Sequence, residues 1–342
     1  MIVKSMKIII VITILLLPFK ELYSQDVHFS QKLANDKERN PAFLNHFEGS
    51  WQAMSVYRQQ WQAVGVPYTT AGLLFSKNFY TPIKNLKAFG GLQYTNDKSG
   101  DAKLLINRFA LNVGASYLSN LGLFSFAVSN NIVNKGFNQS GLTFPSQYDR
   151  EQGGFNENLA SGENFAGESL SFYQLNLGMR WEYQLFEKWK LNSGLYAQNI
   201  TSHQETFLAE DNQKEMAYGI QLMADHQYRA GINVEPYFSF YRNNRASESI
   251  VGSAVSFDTQ KFGAVDQLKP FLYFRSGFWR NTDALILGSR VTLGEFDLGI
   301  SYDVNISDLE LASNYQGGFE LSLIYSAKEK KLEKRRIPCV RY

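Results

Sequence analysis

Apolar and polar residues alternate strictly along residues 173–183. Large apolar side chains occupy every second position, and polar or very small residues lie between them. Successive side chains of a β-strand point to opposite faces, so this pattern predicts a strand with one apolar and one polar face. The apolar row begins at Tyr173 and ends at Tyr183, with aliphatic residues in its middle. Such a row is typical of a transmembrane barrel strand, in which aromatic residues lie at both membrane interfaces.

The same alternation recurs along most of the chain. It predicts about fourteen strands, at residues 51–58, 68–76, 86–95, 105–117, 121–130, 169–183, 188–200, 216–228, 233–242, 249–257, 268–278, 282–293, 294–304 and 316–326. Strand ends predicted in this way carry an error of about 2–4 residues. We therefore expect an all-β fold in which residues 51–326 form a transmembrane antiparallel β-barrel of about fourteen strands. Barrels of twelve or sixteen strands are the alternatives.

The lengths of the connections agree with a barrel in an outer membrane. Such barrels have both chain ends in the periplasm, short periplasmic turns and long outer loops. Most connections after even-numbered strands are short, whereas long polar ones follow odd-numbered strands, at residues 96–104, 131–168, 201–215 and 305–315. The exceptions are 77–85 and 258–267, which are long, and 279–281, which is short. The longest loop, 131–168, is predicted either to cap the lumen or bind a partner, or to be a mobile polar loop.

The segments on either side of the barrel have distinct compositions. Residues 1–24 read as a secretory signal peptide, with two early lysines, an apolar core at 8–17 and Ser24 before the cleavage point. An uncleaved membrane anchor is the alternative interpretation. Residues 25–50 are predicted to be a short periplasmic N-terminal segment or a plug of the barrel. Arg180 and Glu182 are predicted either to hold this segment or to line a plugged lumen. Residues 327–342 are predicted to be a basic periplasmic tail.

Composition and charge exclude several classes of protein. The hydrophobic fraction is 44% and the mean hydropathy is −0.27, which suits a barrel because half of each strand is polar. The formal net charge of +2 provides no general footprint for nucleic acid. The single cysteine, Cys339, excludes an intramolecular disulfide. It is expected to be a free thiol, with an intermolecular bond as the alternative.

The sequence contains no recognisable catalytic or metal-binding motif. It has no H-E-x-x-H, G-x-S-x-G, G-x-G-x-x-G or phosphate-binding loop, and its four histidines lack metal-ligand spacing. Residues 96–101 place two carboxylates near a glycine but lack the regular spacing of a calcium loop, so a plain hairpin is favoured. We expect a protein that is not an enzyme and that uses no cofactor and no metal.

Three groups of short motifs are more specific than the strand pattern. The first covers Gln25–Gln31 (QDVHFSQ) and the NPAF at 40–43, the second covers YRQQW at 57–61 and PYTT at 67–70, and the third covers SYDVNIS at 301–307, GGFEL at 317–321 and the ending RIPCVRY. In this order they resemble the PorP/SprF family of type IX secretion system outer-membrane proteins, over almost the whole mature chain. The family commonly ends Pro-Cys-Pro-Arg-Phe, whereas this chain has Val340 and Tyr342 in place of the second proline and the phenylalanine.

The resemblance implies a location in the cell outer membrane and a non-enzymatic role. Family members help to secrete, and hold at the cell surface, adhesins that carry a C-terminal sorting domain, and they are associated with gliding motility. The implied partners are such an adhesin, periplasmic ring and peptidoglycan-associated components of the secretion machine, and outer-membrane lipid, with no nucleic acid.

Four residues near the predicted outer end are candidate partner contacts. They are Arg58, Trp61, Asp303 and Asn305. For Arg58 the alternative is a pair with a carboxylate in the lumen, and for Trp61 it is a place among the interfacial aromatic residues. For Asp303 and Asn305 the alternative is a buried polar network.

Two other functions are compatible with a barrel alone. One is an outer-membrane channel or transporter for small hydrophobic solutes, because a barrel of fourteen strands encloses a wide lumen. The other is an outer-membrane lipid-modifying enzyme, for which the sequence provides no triad and no metal pattern.

Overall fold

The structure is a computed structural model. It describes residues 28–328 except 64, 101–103, 139–141, 157, 164–166, 202, 208–212, 245, 260–262 and 279–280. The predicted signal peptide, most of the predicted tail and Cys339 lie outside the described residues.

Fourteen strands form the wall of the molecule. They are β1 (Trp51–Gln60), β2 (Tyr68–Tyr80), β3 (Leu86–Ser99), β4 (Leu104–Ser119), β5 (Gly122–Gly136), β6 (Ser169–Phe186), β7 (Trp189–Gln198), β8 (Ala217–Arg229), β9 (Ile232–Arg242), β10 (Ser247–Asp258), β11 (Gln267–Ser276), β12 (Thr282–Leu293), β13 (Phe296–Asn305) and β14 (Gln316–Ala327). Each strand overlaps a predicted one, and several extend further than the alternation indicated. The predicted all-β fold with fourteen strands is confirmed.

The sheet closes on itself to form a barrel. Every strand pairs antiparallel with its neighbours in sequence, and β1 also pairs with β14, which removes both free edges. In that closing pair Trp51 lies opposite Ala327 and Arg58 lies opposite Glu320. Since β1 begins and β14 ends at the rim with the short turns, that rim faces the periplasm.

The strand at 173–183 has the two predicted faces. Tyr173 and Met179 on its apolar row are exposed on the outer wall, whereas Gln174, Asn176 and Arg180 are buried inside. Other strands continue the exposed apolar band, with Leu73, Leu111, Val113, Phe126, Leu195, Leu287, Ile300 and Leu321 among its members. This band is the surface that contacts lipid. No helix within the described residues has the length and apolar character needed to cross a membrane.

The long connections on the opposite rim contain small elements of their own. In the connection between β5 and β6, a 3-10 turn (Pro145–Gln147) precedes a two-residue ladder in which Tyr148 pairs with Phe155. In the connection between β7 and β8, His203–Gln204 pairs with Gln213–Lys214. Because the rim with the short turns faces the periplasm, this rim is the extracellular one. Two of its long connections contain short paired strands.

The segment before β1 lies inside the barrel. Residues 28–50 pack against inward-facing side chains of the wall, while the assignment of 25–50 as a separate segment stays a prediction. Helix α1 (Lys32–Arg39) ends at Asn40, because the following Pro41 disfavours a helical conformation in the residue before it. Asn40 then begins a 3-10 turn (Pro41–Phe43) by accepting a hydrogen bond from the Ala42 backbone N at 3.0 Å.

Candidate functional site

The plug, defined here as residues 28–50, is packed into the lumen by apolar side chains. Phe29, Ala34, Ala42 and Leu44 are almost completely buried and form one cluster with wall residues Met54, Val56, Leu74, Phe89, Ala127 and Ile324. Phe43 belongs to a second cluster, with Met223, Tyr237, Ile250, Ala254, Phe271, Tyr273 and Ile286. Burying a Phe or Leu side chain stabilises a structure by roughly 1.5–3 kcal/mol. The plug therefore packs like a folded core.

A buried charged group ties the start of the plug to the wall. We call Ser30, Arg58, Arg275, Asp303 and Glu320 the anchor cluster. The Ser30 hydroxyl donates to Asp303 Oδ2 at 2.7 Å and accepts from Arg58 Nη1 at 2.5 Å. The Ser30 backbone N donates to Glu320 Oε2 at 2.7 Å, and Gln31 N donates to Glu320 Oε1 at 3.0 Å. Two consecutive backbone N–H groups of the plug are thus held by one carboxylate of β14, and the Ser30 hydroxyl is held by a carboxylate of β13.

The arginines of the anchor cluster neutralise its carboxylates. Arg58 Nη2 lies 2.7 Å from Asp303 Oδ2, and Arg58 Nη1 lies 3.2 Å from Glu320 Oε2. Arg275 Nη2 lies 2.9 Å from the same Asp303 oxygen, while its Nε lies 2.5 Å from Asp283 Oδ2. Charges buried to this degree are tolerated only when each is paired and hydrogen-bonded. The cluster consequently fixes the positions of β1, β11, β13, β14 and the plug relative to one another.

The middle of the plug bonds to the far side of the lumen. Asp36 Oδ1 accepts from the Tyr237 hydroxyl at 2.6 Å and from Gln221 Nε2 at 2.8 Å. Burial raises the pKa of the Asp36 carboxyl to about 6. Asn40 Nδ2 donates to Gln221 Oε1 at 2.9 Å. Gln221 of β8 therefore contacts the plug at two points, one on the helix and one on the turn.

Three consecutive charges at the end of α1 have separate partners. Lys37 Nζ donates to Gln52 Oε1 at 2.6 Å, and burial lowers the pKa of its ammonium to about 7. Glu38 pairs with Arg108 at 2.6 Å, and Arg39 pairs with Glu248 at 2.9 Å. Contacts of α1 thus reach strands on several sides of the barrel.

The predicted role of Arg180 and Glu182 in holding the segment is supported for Arg180. Its guanidinium lies over the Phe43 ring at 5.7 Å and donates to Glu182 Oε2 and Asn192 Oδ1, both at 2.9 Å. The adjacent Gly178 leaves room for the turn of the plug, because a Cβ there would overlap Asn40 Oδ1.

Two of the four candidate partner contacts belong to the anchor cluster. Arg58 and Asp303 are 0% and 1% exposed, so neither presents a surface to an external partner while the plug is in place. Their arrangement corresponds to the alternatives, a lumen ion pair and a buried polar network. A partner contact by either residue stays a prediction, and it requires the plug to move.

Asn305 and Trp61 lie at the extracellular ends of their strands. Asn305 is buried, its Nδ2 donates to Ser313 Oγ at 2.7 Å, and its Oδ1 accepts from Ser307 N at 3.0 Å. It therefore shapes the loop between β13 and β14. Trp61 is half-buried and has a φ of +61°, and its backbone N donates to Gly317 O at 3.1 Å. Whether either residue contacts a partner stays a prediction.

Sequence reasoning missed three members of the anchor cluster. Ser30 and Glu320 stand inside motifs that carry the family resemblance, FSQ and GGFEL, so the motifs themselves were the available signal. Arg275 lies in a segment whose alternation is irregular. Its inward position is visible only once the strand register places it beside Asp303.

The candidate calcium loop has other contacts. Asn96 Nδ2 donates to Asn107 Oδ1 at 2.7 Å, and Asp97 accepts from the Thr70 hydroxyl at 2.5 Å. Both contacts join neighbouring strands, as expected for a plain hairpin. Across the residues that the structure describes, no group of three or more His, Cys, Asp or Glu side chains is placed to hold a metal ion.

The extracellular loops expose large apolar side chains. Tyr148, Phe155 and Leu159 in the connection between β5 and β6 are between 40% and 55% exposed, and Leu311 between β13 and β14 is 80% exposed. The connection between β7 and β8 is also tied to the end of β5, because Glu205 pairs with Lys135 as well as with Lys214. Clustered apolar side chains on a water-facing surface are typical of a site that binds another macromolecule, and the Tyr148 and Phe155 rings lie with their centroids 5.4 Å apart.

Solved structures with a similar outline include three outer-membrane channels. The toluene transporter TbuX of Ralstonia pickettii is 10% identical, with 86% of this chain and 93% of that chain covered and a TM-score of 0.47. The toluene transporter TodX of Pseudomonas putida is 9% identical, with coverages of 87% and 93% and a TM-score of 0.47. The monoaromatic hydrocarbon channel CymD is 12% identical, with coverages of 86% and 93% and a TM-score of 0.47. These values are too low to transfer a substrate to this chain.

The family comparison is decisive where the structural one is not. No curated protein sequence matches the chain. Residues 21–325, which include the plug and nearly the whole barrel, match the family described as type IX secretion system membrane protein PorP/SprF. The predicted resemblance is confirmed, and so is the predicted location in the outer membrane. The chain therefore belongs to the PorP/SprF family and is an outer-membrane β-barrel of the type IX secretion system.

Proposed function

We propose that this barrel supports secretion of a large protein with a C-terminal sorting domain, such as an adhesin used in gliding motility, and holds that protein at the cell surface. The observation that carries the proposal is the set of large apolar side chains exposed on the extracellular loops, which are Tyr148, Phe155 and Leu159 between β5 and β6 and Leu309 and Leu311 between β13 and β14. A sorting domain docked there would cover side chains that otherwise face water.

The plug supports a docking role rather than a conduit. It fills the lumen with buried apolar clusters and paired charges, so the barrel functions here as a rigid support for its loops. Periplasmic ring and peptidoglycan-associated components would be met at the opposite rim, where β1 begins and β14 ends. The role needs no catalytic residue, and we propose that the protein is not an enzyme.

The first experiment is deletion of the gene with analysis of the cell surface. We expect one large protein with a C-terminal sorting domain to disappear from the surface while other type IX cargo is still displayed. Restoring the full-length gene should restore that protein. Unchanged surface display of every sorting-domain protein would contradict the proposal.

A second experiment separates docking from assembly of the barrel. The double variant Leu309→Asp/Leu311→Asp should reach the outer membrane at the normal level and fail to hold the cargo. Asp308→Asn in the same loop is the matched control, because Asp308 is exposed and its replacement leaves the apolar surface intact. Equal cargo display by both variants would exclude this loop as the docking surface.

The alternative function, a channel for small hydrophobic solutes, has a direct test. Full-length protein reconstituted in liposomes should leave their permeability to toluene at the level of protein-free liposomes. A protein-dependent increase in toluene flux would favour the channel.

A further inference from the structure

A cavity lies on the periplasmic side of the plug. Its volume is about 210 Å³, and its wall includes residues within a few positions of the short turns, such as Lys190 at the start of β7 and Arg290 near the end of β12. Lys190 is 42% exposed, so water reaches the cavity from the periplasmic rim. A smaller cavity of about 30 Å³, beside Glu38, Arg108 and Lys214, lies on the extracellular side.

The charges around the periplasmic cavity are mostly paired. Lys269 lies 2.5 Å from Glu235, and Lys190 lies 2.7 Å from Glu182. Lys32 of the plug lies 3.9 Å from the second oxygen of Glu235. The charges within these ion pairs neutralise each other, so the paired residues offer little net charge to a ligand.

Two opposite charges on this wall are exceptions. Arg290 lines the cavity, and its Nε atom is buried without a hydrogen-bond partner. Asp225 of β8 lines the same cavity. Within the described part of the chain, neither side chain has an ion pair or a side-chain hydrogen bond. A guanidinium and a carboxylate that share a cavity without pairing are complementary to a ligand that carries both a carboxylate and an ammonium group.

We propose that this cavity binds a zwitterionic amino-acid group presented from the periplasm, with Arg290 receiving its carboxylate and Asp225 its ammonium. The wall carries both signs of charge, with four cationic side chains (Lys32, Lys190, Lys269 and Arg290) and three carboxylates (Asp36, Asp225 and Glu235). A ligand with both charges matches this wall better than a simple polyanion, which the three carboxylates would repel. The wall disfavours an apolar solute, because burying Arg290 and Asp225 under an apolar molecule would leave two charges unsolvated. The volume accommodates a group of the size of an amino acid or a dipeptide.

The test is calorimetric titration of the full-length protein in detergent with three matched probes. Alanyl-alanine carries both charges, its N-acetyl form lacks the ammonium, and its C-terminal amide lacks the carboxylate. We expect saturable binding of alanyl-alanine and affinity at least about tenfold weaker for each blocked form, because each loses one charge-assisted contact. Equal binding of a blocked form would overturn the proposal in favour of a site for a single ion, and absence of saturable binding would overturn it entirely.

Two variants test which side chain receives the carboxylate of the probe and which receives its ammonium group. Arg290→Gln should abolish the preference for a free carboxylate, and Asp225→Asn should abolish the preference for a free ammonium. Arg108→Gln is the control, because Arg108 lies at the extracellular cavity. The folded state of each variant is checked by the difference in gel mobility between unheated and heated protein. Folded variants that retain the full discrimination among the three probes would overturn the assignment.

Discussion

Arg58 on β1 donates a hydrogen bond from Nη2 to Asp303 Oδ2 on β13 over 2.7 Å, although β14 lies between the two strands. Both side chains are buried, and the Ser30 hydroxyl of the plug donates to the same carboxylate oxygen. The contact thus joins the seam at which the barrel closes to the segment that fills it. Closure and plugging are consequently coupled, since the same guanidinium serves both.

Removal of Arg58 is expected to destabilise the closed barrel strongly. Arg58→Met leaves the buried Asp303 and Glu320 carboxylates with less compensation, and breaking a buried ion pair in this way costs about 3–5 kcal/mol. The folded form should therefore be lost at a lower temperature when samples are heated before electrophoresis. Arg108→Met is the control, because Arg108 is 21% exposed and its loss should shift that temperature much less. Equal shifts in this temperature for the two variants would show that the anchor cluster contributes no more to stability than the Arg108 ion pair.

Seating of the plug is expected to depend on pH through Asp36. Its pKa is raised from 3.8 to about 6, so the seated plug favours the protonated carboxyl. The protonated Asp36 carboxyl contributes about 3 kcal/mol to the stability of the seated plug. This contribution is fully present below about pH 4 and is lost as the pH rises through 6. Asp36→Asn retains an oxygen that accepts from Tyr237 and Gln221 but cannot ionise. We expect the variant to lose this component of the pH dependence.

The measurement is the stability of the seated plug as a function of pH, compared between wild type and Asp36→Asn. The comparison is needed because other plug groups titrate as well. Burial raises the pKa of Glu38 and lowers the pKa of His28 and His46, and these groups contribute equally to both proteins. The pKa of Lys37 is lowered to about 7, so its contribution is present above about pH 10 and is lost as the pH falls through 7. A wild-type minus variant difference that stays constant from pH 4 to 7 would contradict the assignment to Asp36.

A side chain at position 178 is expected to displace the turn of the plug. In Gly178→Ala the new Cβ would overlap Asn40 Oδ1 and lie 2.9 Å from the Ala42 backbone N, and overpacking of this kind costs about 1–3 kcal/mol. Seating can be followed by maleimide labelling of Ala34→Cys in a Cys339→Ser background, because Ala34 is 2% exposed. We expect faster labelling when Gly178→Ala is added.

Gly90→Ala is the matched control for that experiment. A Cβ at Gly90 would be 3.4 Å from its nearest neighbour, Asn112 O, which is close to an ordinary contact. Labelling of the thiol introduced by Ala34→Cys should remain slow in this variant. If Gly90→Ala and Gly178→Ala accelerate labelling equally, the effect is on the barrel and not on the plug.

Removal of the plug is expected to open the lumen. Deleting residues 28–50 withdraws every plug side chain from both apolar clusters and from the anchor cluster, and a barrel of fourteen strands is wide enough to conduct ions once empty. Planar-bilayer recordings should show ion conductance for the deleted protein and little for the full-length one. Equal conductance would show that the plug does not seal the barrel.

The sequence by itself determined the wall of this protein. Alternation with a period of two depends only on the local direction of side chains, so the row from Tyr173 to Tyr183 identified a strand and its lipid face without knowledge of any neighbour. Short and long connections then determined which rim faces the periplasm. The motifs at the two ends of the chain identified the family.

Only the tertiary structure decided what fills the lumen and which polar residues meet there. Ser30, Arg58 and Glu320 are separated by up to 290 residues, and they come together only because β14 pairs with β1 and residues 28–50 fold back inside. Inward polar positions look alike in the sequence, whether they face water, a plug or a cavity. The register of closure, which depends on contacts between distant segments, therefore separates Arg58, which is ion-paired inside the lumen, from Arg290, which lines the periplasmic cavity.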